Sequence, residues 1–170
     1  MKILQRYKRV HAALVGGTVL LLLLCLNTSV WAIKEGEPAP DFSLTDTEGN
    51  TVTLSKLQGK VVVVNFFTIW CQPCRKEMPE LNAIYKENKD KGLAMLGICL
   101  STDPNQLKAF AKQMNLNYPI LLGTDQVSKD YGDITAVPTT FVINKEGKIA
   151  VKIEGARHKE EFLKVITPLL

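Results

Sequence analysis

An α/β fold, with a mixed central sheet flanked by helices, is what this 170-residue sequence predicts. Three observations predict it. The runs Val61 to Phe67 and Leu93 to Leu100 are short, continuous and apolar, which suits strands buried on both faces. Each is followed by apolar residues at helical spacing: Met78, Leu81 and Ile84 or Tyr85 after the first, and Leu107, Phe110, Ala111 and Met114 after the second. Last come a hairpin pattern, Thr139 to Asn144 and Ile149 to Ile153 about the turn Lys145-Glu-Gly-Lys148, and a closing helix through Phe162, Val165, Ile166 and Leu169.

In chain order, residues 1–33 stand apart as a targeting segment from the domain expected over residues 34–170. Lys2, Arg6, Lys8 and Arg9 precede Ala12 to Leu26, fifteen uncharged residues with five consecutive leucines. That polarity keeps the basic end cytoplasmic and carries the downstream chain across the membrane. Val30-Trp31-Ala32 offers a signal-peptide cleavage site, yet the charge-free run to Ile33 is long enough for an uncleaved anchor, which needs about 20 residues. Both readings fit. Cys25 reads as membrane-buried, because the bulky Leu24 before it does not suit a lipid-modified cysteine. The domain is expected to work outside the cytoplasm, in a periplasm or at the outer face of the cytoplasmic membrane, where disulfides persist.

Charge excludes one class of partner. The chain carries 21 Lys and Arg against 17 Asp and Glu, but four of the basic residues lie before residue 33 and no acid does, which leaves 17 of each beyond it. The basicity is a targeting signal, so nucleic acid is not an expected partner.

Lys34 to Asp41 is an extended lead-in, since Pro38 and Pro40 lack N–H groups and push their predecessors out of helical space. Phe42 to Leu44 and Thr51 to Leu54 alternate about Asp46-Thr-Glu-Gly-Asn50, an N-terminal β-hairpin extension. Ser55 to Gly59 connects it to the first buried strand. Gly92 is placed as the C-terminal cap of the helix after that strand. Cys99, in the second buried strand, reads as inert packing. Ser101-Thr-Asp-Pro104 caps the next helix, whose Met114 reads as core; Tyr118 to Leu122 is a short strand and Asp125 to Tyr131 a short helix.

The chemistry lies between strand and helix, at Cys71-Gln72-Pro73-Cys74. Cys71 falls at the helix N-terminus and Cys74 in its first turn. Unpaired N–H groups and the helix dipole favour a thiolate there, and such cysteines titrate at roughly 3.5 to 7.5 against a free value of about 8.5. Cys71 is then the attacking sulfur, and Cys74 resolves the mixed disulfide that forms. A CxxC is also half of a zinc site, but zinc needs four ligands. Cys25 and Cys99 are single and distant, and neither His11 nor His158 is near the motif in sequence. Redox chemistry with no metal and no cofactor is the reading taken.

The sequence resembles the thioredoxin superfamily, and within it the exported TlpA/ResA-like and CcmG-like thiol-disulfide oxidoreductases. The residues that carry the resemblance are Gly36-x-x-Ala39-Pro40-x-Phe42, Gly59-Lys60, Asn65-Phe66-Phe67, Trp70 to Cys74, Glu77-Met78-Pro79, and Val137 to Phe141 ahead of Gly147. The resemblance implies a thioredoxin-like fold and a cis Val137-Pro138 bond lying against the cysteines, whose backbone pairs with bound substrate. It gives Trp70 a role covering the site's edge, against the alternative of a packing aromatic. Asn65 stands where cytoplasmic thioredoxin has a buried Asp. Glu77 matches an acid of the ResA-like branch and could take the proton of Cys74 if burial raises its pKa; a solvated helix-face Glu is the alternative.

The implied function is reduction of protein disulfides, with apocytochrome c among candidate substrates and a membrane thiol-disulfide partner as electron donor. The Gln72-Pro73 pair tunes the potential, and an oxidase stays open. Two other readings compete. Thr68-Ile-Trp-Cys71 matches the TxxC of a peroxiredoxin, but Val64 stands where that family needs proline and the second cysteine is foreign to it. A Sco-like copper carrier uses two cysteines and a histidine, a pattern for which the CxxC spacing is too short and His158 a poor third ligand.

Overall fold

In the computed structural model, which describes residues 34–170, the valine-rich run Val61–Phe67 is a strand (β3) with all seven residues buried. Residues 1–33, where a targeting segment is expected, with Cys25 and His11, lie outside the described residues. Before β3 come Ser43–Thr45 (β1) and Thr51–Thr53 (β2), a separate two-stranded antiparallel sheet, and one 3₁₀ turn at Leu54–Leu57. After it the order is Gln72–Asn88 (α1), Leu93–Cys99 (β4), Pro104–Gln113 (α2), Ile120–Leu122 (β5), Asp125–Asp130 (α3), Thr139–Ile143 (β6), Ile149–Glu154 (β7) and Lys159–Ile166 (α4).

The main sheet has the order β5-β4-β3-β6-β7. β3 runs parallel to β4 and antiparallel to β6, with Asn65 opposite Gly97 on one side and Thr140 on the other. Strand alternation then sorts the core into two. Val61, Val63 and Phe67 face Met78, Leu81 and Ile84 of α1, Leu107 and Phe110 of α2, and Phe162 and Ile166 of α4. Val62, Val64 and Phe66 face Leu44, Leu54, Val127, Tyr131 and Phe141. The expected mixed sheet flanked by helices, with its N-terminal hairpin, is therefore the fold observed.

Several boundaries shift for local reasons. The lead-in opens with a turn, in which Glu37 N–H donates to the Lys34 carbonyl and Gly36 takes φ 87°, before Ala39 N–H bonds to Gly147 O at 2.9 Å. Gly92 caps a 3₁₀ turn at Lys89–Lys91, not α1 itself, and does so at φ 95°. β5 starts at Ile120, because Pro119 has no N–H for the ladder and contributes only its carbonyl, to Gly97 N–H at 3.0 Å. Met114 is the C-cap of α2 and is half-buried against the core. Tyr131 ends α3 and ties the lead-in to the domain through its hydroxyl, which donates to Pro40 O at 2.9 Å.

Candidate active site

The site forms where β3 ends and α1 begins. Cys71 is the N-cap of α1, in extended conformation, and its Sγ accepts from Cys74 N–H at 3.2 Å. Pro73 in the first turn needs no hydrogen-bond partner for its nitrogen. Cys71 and Cys74 are joined by a disulfide, with Cα atoms 5.3 Å apart. Cys71 is half-buried, whereas Cys74 is 1% exposed, so the two sulfurs differ in access as their order along the helix predicts. The loop before them is pinned at three points. Cys71 N–H donates to Thr68 O, the Arg75 guanidinium donates to Ile69 O at 3.2 Å, and that guanidinium lies 5.3 Å over the Phe110 ring.

Val137-Pro138 is cis, and the Val137 carbonyl oxygen lies 3.7 Å from Cys71 Sγ. Pro138 is buried and its carbonyl accepts from Gly155 N–H at 2.8 Å, while Thr139 Oγ1 donates to Ala136 O at 2.8 Å. Trp70 is 61% exposed, so it is not a packing aromatic; it stands free beside Cys71. Gln72 and Pro73 are also exposed.

Glu77 is 3% exposed, which removes the solvated helix-face alternative. It sits one turn beyond Cys74. Its Oε2 accepts from Asn65 Nδ2 at 3.2 Å and its Oε1 from the Arg157 backbone N–H at 2.9 Å. Asn65 Nδ2 also donates to Thr140 Oγ1 at 2.8 Å, which fixes the amide's orientation. Burial pushes the Glu77 carboxyl up to about 7; the two donors and the Arg157 charge oppose the rise, and Glu80 adds to it. A carboxyl at that value holds its proton about half the time near neutrality, the condition for moving one in either direction. Cys99 is a different case. It is 1% exposed and burial pushes its thiol up to about 12, so it is a packing residue with no thiolate at neutral pH.

Thr140 and the Arg157 N–H are parts of the site that sequence reasoning missed. Thr140 lies within the Val137 to Phe141 motif, but its role depends on its register opposite Asn65 across β3 and β6, which only the structure shows. The Arg157 contact had no signal in the sequence, because it is a backbone group 80 residues from its partner.

The AhpC/TSA family model matches residues 36–152. Thiol-disulfide oxidoreductase ResA of Bacillus thuringiensis subsp. konkukian (strain 97-27) is 35% identical over 164 residues, covering 88% of this chain and 94% of that protein. Among solved structures, a putative thiol:disulfide interchange protein DsbE from Chlorobium tepidum superposes with TM-score 0.76 at 29% identity, over 81% of this chain and 98% of that one. A putative protein disulfide isomerase from Bacteroides thetaiotaomicron gives TM-score 0.72 at 36% identity, over 80% and 87%.

Proposed function

This chain belongs to the AhpC/TSA family and is a thiol-disulfide oxidoreductase of the ResA and DsbE kind, and from that premise we propose that it reduces disulfides in polypeptides outside the cytoplasm. Residues 1–33 export the domain in this reading, as signal or anchor. A membrane thiol-disulfide partner returns electrons to Cys71 and Cys74, and apocytochrome c is a candidate substrate by kinship with ResA and DsbE.

The observation that carries the reading is the pairing of a buried carboxyl, Glu77 near pKa 7, with the buried Cys74 one turn away, while Cys71 stays accessible. In the reduced enzyme the α1 N-terminus and the Cys74 N–H stabilise a thiolate on Cys71. That thiolate attacks one sulfur of the substrate disulfide and expels the other substrate sulfur, which takes a proton from water. Cys74 then gives its proton to Glu77 and attacks Cys71 Sγ, closing the Cys71–Cys74 disulfide and releasing the second substrate thiolate. Two electrons pass from the cysteine pair to the substrate, and two substrate thiols result. Cis Pro138 and the Val137 carbonyl beside Cys71 supply the backbone against which an extended substrate lies, and Trp70 offers it an exposed ring.

The resting state in the native cell tests the direction. After acid quenching and alkylation, a reductase is recovered mainly as the dithiol, with Cys71 and Cys74 both alkylated. Recovery mainly as the disulfide would contradict the reading and favour an oxidase.

A further inference from the structure

Beside the cysteine pair lies a groove of ≈ 320 Å³, with Gln72, Pro73 and Lys76 on the α1 side and Arg157 and His158 on the other. Glu77 and Glu80 line it too, each already held in two hydrogen bonds. Glu77 accepts from Asn65 and from Arg157 N–H. Glu80 engages the His158 ring at 3.1 Å and accepts from Lys159 N–H. The cations are the reverse. Lys76 is exposed and has no carboxylate within 4 Å among the described residues. Among the described residues the one carboxylate partner of Arg157 is Glu161 at 3.6 Å, a solvent-exposed pair of little worth that a visiting carboxylate can displace. No acid lies in the first turn of α1, whose N-terminal dipole adds positive potential at the same end.

We propose that this groove selects disulfide substrates carrying an Asp or Glu side chain within a few residues of the reacting cysteine, with Lys76 and Arg157 holding that carboxylate while Cys71 attacks. It rests on the reductase reading above. Gln72 and Pro73 in the groove wall directly follow Cys71, so the groove opens within one or two residues of the reacting sulfur and the charge is read at the reacting end.

The test uses the full-length reduced protein in neutral detergent and two disulfide peptides identical but for Glu or Lys two residues from the cysteine, with glutathione disulfide as a third substrate. The acidic peptide is expected to be reduced about fivefold faster at low ionic strength, with the ratio shrinking as salt screens the groove. A combined Lys76→Gln, Arg157→Gln variant should bring the ratio close to one; the ratio within each protein is the readout, so a change in overall rate does not affect it. A ratio near one in the wild type, or a preference that survives in the double variant, overturns the proposal while leaving the reductase intact. Failure to reduce any of the three substrates overturns the reductase reading and this proposal together.

Discussion

Glu77→Gln isolates the consequence of burying an acid without a cation against it. The folded carboxyl titrates at about 7 against 4.5 for an ordinary one, so the folded state holds a proton that the unfolded chain has lost over that window. Stability is fully present below pH 4.5 and falls as pH rises through 7, above which it is level. The rise corresponds to roughly 3 kcal/mol, an upper figure for a group that is 3% exposed. Glutamine has nearly the same shape and no charge, so it removes this slope. It can still accept from either Asn65 or Arg157 N–H, at a cost of about 1–2 kcal/mol for the donor left facing an amide. Urea unfolding of the oxidised protein and the variant, at steps between pH 4.5 and pH 7 and beyond, measures the difference. The two stability curves should diverge by most of that figure across the window, and parallel curves would refute the argument that burial governs this group. Resolution of the mixed disulfide should rise through the same pH window in the wild type and lose that inflection in the variant.

Two further outcomes rest on packing. Gly123→Ala places a Cβ 2.7 Å from the Cys99 carbonyl oxygen, a backbone atom that cannot rotate away; destabilisation of about 1–3 kcal/mol is expected in denaturant titration. Cys99 should stay unalkylated by iodoacetamide in the folded, reduced protein while Cys71 reacts, and should be modified once the chain is unfolded; peptide mass mapping reads both.

Much of the site was legible because its parts are short-range. A buried strand followed by CxxC and an amphipathic helix placed Cys71 at the helix N-terminus and Cys74 in the first turn from spacing alone, and Cys71 is the N-cap. Glu77 was legible as a position and not as an environment: helical spacing put it one turn past Cys74, but its burial depends on the sheet and on the segment ahead of α4. Family resemblance, not periodicity, pointed to cis Pro138 beside Cys71, since nothing local marks one proline of eight as cis. The basic wall of the groove was hidden for the same reason. His158 lies 78 residues from Glu80, and only the α1–α4 packing brings them together.

The proposed division of labour, in which Cys71 attacks and Cys74 resolves, is the step on which the function rests. It is tested most directly by expressing Cys74→Ser in the native cell and mapping the disulfide-linked species that accumulate. A substrate polypeptide bound through Cys71, released by added reductant and absent from a Cys71→Ser control, is the expected species; no adduct, or one that persists in that control, would contradict this division of labour.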